Sequence, residues 1–269
     1  MILALIGYGE VGQLFARQFV KAGATVAVYD VKFAEADLRA PLARIAAEDR
    51  VRLAPSPQAA IEGAEIVISA VTADQAVAAA REAAPHLRQG QIYVDLNSVS
   101  PSTKRTVAGA LGAGVDFVEF AVMSPVAGLG IASPILAGGA RAEAVAGRLN
   151  PLGMKIDAIS PEIGVASATK LCRSIVIKGM EAIMVDLSLA GAGTGVTEGV
   201  LKSLSASYPG MNWAEVLKTM PGRVARHGVR RAAEMREAAR MLEEIGLSGA
   251  FAEAIAARHE AYAAETRKG

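Results

Sequence analysis

Three glycines near the start of the chain have the spacing of a turn that binds phosphate. The apolar run 2–6 leads into Gly7, Gly9 and Gly12, and a helical pattern begins at residue 13. Gly7 would permit a tight turn, Gly9 would let backbone amides approach a pyrophosphate, and Gly12 would let the helix pack on the sheet. The unpaired N–H groups and partial positive charge of the helix N-terminus would bind the phosphates. The pattern therefore predicts a dinucleotide-binding unit.

An acidic residue ends the next apolar run and completes this pattern. The run 25–29 is followed by Asp30, whose carboxylate would accept hydrogen bonds from the adenosine ribose hydroxyls and repel a 2′-phosphate. Lys32 follows two residues later and would favour that phosphate if Asp30 turned away. We therefore expect NAD as the cofactor, with NADP not excluded. The residues expected to bind it are Gly7, Tyr8, Gly9, Glu10, Val11, Gly12, Asp30, Val71, Thr72 and Asn97.

Two later apolar runs also end in residues that a ligand would meet. Val71 and Thr72 close one of these runs, and Asn97 and Ser98 follow the next. Open α/β sheets bind their ligands at the carboxyl ends of the strands. We expect the backbone of Val71 and Thr72 to line the ribose, and the side chains of Asn97 and Ser98 to contact nicotinamide or substrate.

A long helical stretch, residues 164–189, carries one polar stripe on an otherwise apolar surface. At about 100° per residue the stripe covers an arc of about 140°. Its members are Lys170, Arg173, Ser174, Lys178 and Glu181. Two interpretations fit this pattern: the solvated face of an amphipathic helix, or a face that lines a substrate cleft beside the nucleotide-binding unit.

In the second interpretation the stripe moves a proton and binds an anion. Lys170 would be a general acid that protonates a carbonyl oxygen as hydride arrives. Arg173 would hold a substrate carboxylate through a two-pronged hydrogen bond. The stripe holds three positive groups and a single acidic member, Glu181, and burying positive groups without partners would be costly. A cleft that faced it would be locally positive, which predicts a small anionic substrate.

Composition limits the other classes of function. The chain has 269 residues, is 52% hydrophobic and only 4% aromatic, and carries a net charge of +1. This balance predicts neither a nucleic-acid partner nor a membrane span. One cysteine, Cys172, and three scattered histidines do not have the spacing of metal ligands. We expect a cytoplasmic protein without a metal site.

The elements that must position these residues follow from hydrophobic periodicity. Short apolar runs alternate with helical patterns up to residue 160, which is typical of a parallel sheet. The expected strands cover residues 2–6, 25–29, 51–53, 65–71, 91–95, 116–120, 134–137 and 155–158. Ser100 before Pro101 predicts a helix start.

The last third of the chain has a purely helical pattern. The expected helices cover residues 164–189, 213–220, 222–245 and 250–265, with a break at 191–195. We therefore expect an α/β Rossmann-type doubly wound parallel sheet in residues 1–163, followed by an all-helical substrate and dimerisation domain in 164–269. The helix 164–189 is apolar around most of its circumference, and one small domain would scarcely cover it. This predicts a homodimer.

The combined pattern resembles the β-hydroxyacid dehydrogenase superfamily, which includes 3-hydroxyisobutyrate and 6-phosphogluconate dehydrogenases. The resemblance covers essentially the whole chain and rests on a set of matching segments: 7–12, 95–98 with Ser100-Pro101, 117–119, and Gly164 with Lys170 six residues later. The last third resembles the phosphogluconate-dehydrogenase-like subgroup, through segments 170–174 and 227–235. In that family the matching lysine is the catalytic acid/base, so the resemblance implies this role for Lys170.

The departures from the family pattern fall in the substrate region. Better-known members carry two asparagines where this chain has Arg173 and Ser174, and a Ser-Gly-Gly loop where it has Met123, Ser124 and Pro125. The resemblance therefore implies hydride transfer between nicotinamide and a small hydroxy acid, but not which acid. The expected substrate-binding residues are Arg173, Ser174, Lys178, Ser124, Asn97 and Ser98.

Two rival functions stay open at this point. An imine reductase would share the architecture, although known imine reductases usually lack a lysine at the position of Lys170. A non-catalytic sensor would bind the dinucleotide but turn over no acid.

Overall fold

The computed structural model describes residues 1–267 and divides the chain into two compact units, Met1–Lys170 and Leu171–Gly269. This boundary falls inside a helix that begins at Val165. The start of that helix belongs to the first unit, in which Glu119 accepts hydrogen bonds from the N–H groups of Gly164 and Ala166. The sequence-based division into 1–163 and 164–269 stays a prediction.

An eight-stranded sheet forms the centre of the first unit. Its strands are β1 (Ile2–Ile6), β2 (Thr25–Tyr29), β3 (Arg52–Leu53), β4 (Ile66–Ser69), β5 (Ile92–Asp95), β6 (Asp116–Val122), β7 (Pro134–Gly138) and β8 (Lys155–Ser160). The helices between them are α1 (Glu10–Lys21), α2 (Ala36–Glu48), α3 (Pro57–Ile61), α4 (Ala76–Ala83), α5 (Pro101–Ala110), α6 (Val126–Leu129) and α7 (Ala142–Leu149).

The strand order is β3-β2-β1-β4-β5-β6-β7-β8, which confirms the doubly wound sheet. All neighbouring strands are parallel except β6 and β7, which pair antiparallel. The parallel sheet predicted from the sequence is therefore confirmed except at this one pairing. Only residues 123–133 join the two strands, and a parallel crossover needs a dozen or more residues.

The central strands are buried on both faces, which explains their continuous apolar sequence. One face of the sheet packs against an apolar cluster that includes Phe15 and Phe19 of α1. The opposite face packs against a second cluster that includes Ala80 of α4 and Val107 of α5. Helices therefore cover both sides and leave the strand ends as the accessible edge.

The order of the strands reverses between β1 and β4, which are hydrogen-bonded neighbours. At such a switch point the loops after the two strands diverge to opposite faces and leave a crevice at the carboxyl edge. The turns that follow β1, β4 and β5 all leave this edge, because these strands are parallel. The residues predicted to bind the cofactor therefore share one edge of the sheet.

The second unit is helical. It contains the remainder of α8 (Val165–Thr194), followed by α9 (Thr197–Ser207), α10 (Trp213–Glu244) and α11 (Ala250–Glu265). The bounds predicted for the last helix are confirmed, whereas α9 was not predicted. No helix in the part of the chain that the structure describes combines the length and the apolar character needed to cross a membrane.

Two helix breaks expected from the sequence differ in the structure. Of the break expected at 191–195, only the end is found: α8 continues to Thr194, and Gly195 at φ +72° follows it before α9. The expected interruption before residue 222 does not occur, because α10 runs through Pro221. A proline inside a helix costs about 3 kcal/mol. Pro221 and the neighbouring Met220 are buried, and burial of a large apolar side chain such as that of Met220 stabilises by about 1.5–3 kcal/mol.

Candidate cofactor and proton-transfer site

The turn between β1 and α1 requires glycine at two of its three glycine positions. Gly7 has φ +100°, and a Cβ there would lie 2.4 Å from the carbonyl oxygen of Ala70. A Cβ on Gly12 would lie 2.2 Å from the carbonyl oxygen of Gly7. Such distances are far below van der Waals contact, so both glycines are required by the close approach of α1 and β4 to the turn.

Gly9 differs from the other two glycines because it faces open space. No described atom lies within 4 Å of a Cβ built on this residue. Gly9 is the N-cap of α1, and no side chain of the described residues caps the helix. The first N–H groups of a helix have no partner within it and attract phosphate. The geometry of this turn therefore fits the pyrophosphate of a dinucleotide, with Glu10 and Val11 in the first turn of the helix.

Tyr8 contributes only its backbone to the turn. Its side chain is buried and its ring packs edge-on against Phe33, with the ring centroids 6.2 Å apart. Burial raises the pKa of Tyr8 to about 12. The backbone N–H of Tyr8 donates to Oδ2 of Asp30 over 2.6 Å.

Asp30 therefore links the glycine turn to the end of β2. Its Oδ1 also accepts a hydrogen bond from the backbone N–H of Lys32, over 3.0 Å. An ionised carboxylate has about four acceptor positions, so both contacts leave capacity for ribose hydroxyls. Val71 is half-buried and Thr72 is exposed beyond β4. The ribose contacts of these three residues stay predictions.

The turn after β5 brings two residues predicted for the site into direct contact. The side chain of Ser98 is half-buried, and its Oγ accepts a hydrogen bond from Nζ of Lys170 in the second turn of α8. Both residues belong to the first unit. A lysine ammonium held at the carboxyl edge of a Rossmann sheet is well suited to exchange a proton with a substrate oxygen.

Asn97 acts within the same turn but points into the protein. It is 5% exposed, and its Nδ2 donates to Oγ of Ser69 over 3.1 Å and to Oδ1 of Asp95. The amide therefore holds the turn to β4 and β5. Its direct contact with a ligand stays a prediction.

Ser124 lies just beyond the end of β6. Its Oγ is buried and has no hydrogen-bond partner among the described residues. A buried hydroxyl in this condition is uncommon, and a ligand or water molecule is the usual partner. The substrate contact predicted for Ser124 is compatible with this observation.

The polar residues of α8 beyond Arg173 have partners inside the second unit. Ser174 Oγ donates to Oε1 of Glu234, and Lys178 Nζ lies 3.0 Å from the same oxygen. Ser174 and Lys178 are both buried. The premise that Lys178 is a positive group without a partner is therefore wrong, because α10 supplies a carboxylate. The part of the substrate-charge argument that rests on Lys178 is removed.

The remaining acidic member of the stripe is paired in the same way. Glu181 lies 2.6 Å from Arg231 of α10, and burial raises the pKa of the Glu181 carboxyl against the opposing effect of that guanidinium. His259 of α11 bonds the backbone oxygen of Lys178, and burial lowers its pKa to about 4. These contacts make this part of the stripe a packed polar layer between helices. Arg173 is exposed.

Sequence reasoning missed one residue close to the Ser98 turn, Lys104. It is 1% exposed, and its Nζ bonds the backbone and side chain of Asp95. The available signal was its position: Lys104 shares the apolar face of α5 with Pro101 and Val107. A lone lysine on an apolar face needs a buried partner. Among residues 1–267, no group of three His, Cys, Asp or Glu side chains could hold a metal ion.

Comparisons with known proteins match both parts of the chain to family models. The family described as the NAD binding domain of 6-phosphogluconate dehydrogenase matches residues 2–157. A domain of unknown function, DUF1932, matches residues 193–262.

Two relatives from Pseudomonas aeruginosa are dehydrogenases. A NAD-dependent L-serine dehydrogenase is 25% identical over 82% of this chain and 74% of its own. A 3-hydroxyisobutyrate dehydrogenase is 28% identical over 95% of this chain and 86% of its own. Among solved structures, a conserved hypothetical protein from Sinorhizobium meliloti 1021 is similar with a TM-score of 0.85 and 37% identity, over 98% of this chain and 89% of that chain.

Proposed function

The chain belongs to the β-hydroxyacid dehydrogenase family and has its NAD-binding domain, and from this premise we propose that it transfers hydride between nicotinamide and a small hydroxy acid. Lys170 moves the proton. The observation that carries the proposal is the hydrogen bond from Lys170 Nζ to Ser98 Oγ. It lies at the sheet edge from which the glycine turn also leaves.

NAD, when bound, accepts or supplies the hydride. The protein supports this exchange with the open face at Gly9 and the N-terminus of α1. In the direction of reduction, Lys170 gives a proton to the substrate carbonyl oxygen; in the direction of oxidation, it removes the proton from the hydroxyl. Ser98 fixes the direction of the lysine Nζ because its Oγ accepts one of the N–H bonds. The proton and the hydride therefore move separately.

A panel of hydroxy acids tests the proposed function directly. The panel includes L-serine and 3-hydroxyisobutyrate, and the formation of reduced nicotinamide is followed by absorbance. NAD-dependent oxidation of at least one acid is expected. Reduction of a cyclic imine without oxidation of any acid would favour the imine reductase, and tight NADH binding without turnover would favour the sensor.

NAD is expected to bind in preference to NADP. Asp30 is held at the end of β2 by Tyr8 and Lys32 backbone contacts, so its charge is fixed where a 2′-phosphate would approach. We expect NADH to bind at least about tenfold more tightly than NADPH, a difference of about 1.4 kcal/mol. Fluorescence titration with each reduced cofactor measures the ratio. Tenfold tighter binding of NADPH would contradict the assignment.

Arg173 is proposed to hold the substrate carboxylate. It follows Lys170 by three residues on α8 and is exposed, and its planar guanidinium matches a carboxylate. Arg173→Lys keeps the positive charge but lacks the planar guanidinium that can donate two parallel hydrogen bonds to a carboxylate. The KM for the acid is therefore expected to rise about tenfold. The KM for NAD is expected to stay the same. A neutral best substrate whose KM is insensitive to this change would refute the role.

A homodimer is proposed from the apolar surface of α8. Val176 and Ile183 are 62% and 57% exposed and lie seven residues apart, hence on one side of the helix. Light scattering at micromolar concentration is expected to give twice the 27.7 kDa chain mass. Ile183→Asp is expected to shift the mass towards the monomer, because it puts a charge into the apolar contact. A monomeric wild-type protein would disprove the dimer.

A further inference from the structure

A buried lysine outside the predicted site ties together the turn that carries Ser98. Lys104 on α5 is 1% exposed. Its Nζ donates to the backbone oxygen and Oδ2 of Asp95, both over 2.9 Å, and to the backbone oxygen of Asn97 over 2.8 Å. A fourth, longer contact of 3.4 Å reaches the backbone oxygen of Phe120. The ammonium is thus paired with a carboxylate and bonded to carbonyls, as a buried charge requires.

Asp95 and Asn97 accept hydrogen bonds from Lys104 and lie in the segment of backbone that leads into Ser98. Asp95 ends β5, and Asn97 immediately precedes Ser98. The carbonyls of both residues are bonded to one ammonium, which fixes the backbone that leads into Ser98. The Asn97 side chain adds a second tie, to Ser69 of β4. Ser98 is the residue of this turn whose side chain is available to Lys170.

A second buried group holds the other partner of the pair. Glu119 on β6 is fully buried, and its Oε1 accepts hydrogen bonds from the N–H groups of Gly164 and Ala166 over 2.7 and 2.9 Å. These are N–H groups at the start of α8, which favour a negative charge. Lys170 follows within the next turn and a half of the helix.

The two anchors lie on neighbouring strands. Asp95 and Glu119 are partners in the parallel register of β5 and β6. One of them is bonded to the ammonium that holds the Ser98 turn, and the other holds the start of the helix that carries Lys170. The fixed distance between these neighbouring strands therefore helps to set the distance between Ser98 and Lys170, whose side chains meet at the sheet edge.

We infer that Lys104 and Glu119 are positioning residues for the Ser98–Lys170 pair: they hold the acceptor hydroxyl and the lysine at hydrogen-bond distance from each other. The inference rests on the proposed function for its catalytic meaning, but the geometry of the pair is measurable without substrate. Neither residue touches a reacting atom. Both act through the backbone of the segment that they hold.

The test measures Lys170 itself in the protein without substrate. The rate at which acetic anhydride acetylates Lys170 is followed against pH by mass spectrometry, and the midpoint of this profile reports the balance between ammonium and amine. A hydroxyl that accepts from the ammonium stabilises the charged form. Ser98→Ala is therefore expected to lower the midpoint by about one pH unit. Lys104→Met is expected to lower it by a similar amount.

A double variant distinguishes positioning from a general loss of stability. If Lys104 acts through Ser98, the Ser98→Ala/Lys104→Met protein is expected to have the same midpoint as either single variant. Lys155→Met makes the same chemical change at an exposed lysine of β8 and is expected to leave the midpoint unchanged. Asp95→Asn/Lys104→Met removes both charges of the buried pair, so this double variant takes the place of Lys104→Met in the test if the single variant does not fold.

Glu119 is tested by a conservative pair of variants. Both of its hydrogen bonds end on Oε1, and the side-chain carbonyl of Glu119→Gln can still accept them. This variant is expected to keep the wild-type midpoint, whereas Glu119→Ala is expected to lower it by about one pH unit.

The outcomes separate the inference from the proposed function. A folded Lys104→Met protein with lower thermal stability and a wild-type Lys170 profile would overturn the positioning role of Lys104. Equal midpoints for Glu119→Ala and Glu119→Gln would do the same for Glu119. If the midpoints shift as expected but the wild-type protein oxidises no acid, the positioning stands and the proposed function fails. Where no Lys104 variant folds, the two Glu119 variants decide the inference.

Discussion

Replacing Lys170 by alanine is expected to lower kcat by about 10²–10⁴-fold, because the reaction would lose the proposed general acid. The change removes the Nζ that bonds Ser98 at the carboxyl edge of the sheet. The affinity for NADH is expected to stay within about twofold of the wild-type value. The glycine turn and Asp30, which are proposed to bind the cofactor, are not altered by this substitution.

Stopped-flow or steady-state assays with the best acid from the panel measure kcat, and fluorescence titration measures NADH affinity. Lys155→Ala is the matched control, because this lysine is exposed on β8. It is expected to keep the wild-type kcat. If Lys170→Ala keeps more than a tenth of the wild-type kcat, another group moves the proton and the assignment is wrong.

The second large effect is expected at the glycine turn, where two similar substitutions are expected to weaken NADH binding for different reasons. Gly12→Ala would place a Cβ 2.2 Å from the carbonyl oxygen of Gly7, so backbone must shift. We expect the free energy of unfolding of the cofactor-free protein to fall by about 1–3 kcal/mol or more. NADH binding is expected to be lost as well, because the turn is distorted.

Gly9→Ala is expected to act on binding alone. A Cβ on Gly9 meets no described atom within 4 Å, and the backbone at φ −76° suits alanine. The free energy of unfolding should change by less than about 1 kcal/mol. NADH affinity should fall by about tenfold or more, because the methyl group would occupy the space in which the pyrophosphate approaches the amides.

Chemical denaturation without cofactor and NADH titration measure the two quantities separately. Gly109→Ala on α5 is the control, because a Cβ there also meets open space. It is expected to leave NADH binding unchanged and to raise stability by about 0.5–1 kcal/mol. Wild-type NADH affinity in Gly9→Ala would show that the cofactor does not approach this residue.

Local features of the fold could be predicted from the sequence because short-range physics decides them. The glycine turn requires Gly7 at φ +100°, a conformation that other residues rarely adopt. Ser100 caps α5 by accepting from the N–H of Thr103, three residues away, as the Ser-Pro pattern predicted. The bounds of α11 followed from its own periodicity. The antiparallel pairing of β7 and the continuity of α10 could not be predicted from the local sequence, because contacts with neighbouring elements decide them.

The amino-acid sequence by itself determined which residues are candidates for the chemistry: the spaced glycines, Asp30 and the lysine on a mostly apolar helix. Only the tertiary structure decided which of them have partners. Ser98 and Lys170 are 72 residues apart, and Ser174 and Glu234 are 60 apart. A helical pattern describes one face of one element, whereas the charge that neutralises Lys178 comes from another helix. The partner of a buried charge is chosen by packing, since burying it alone would cost too much free energy.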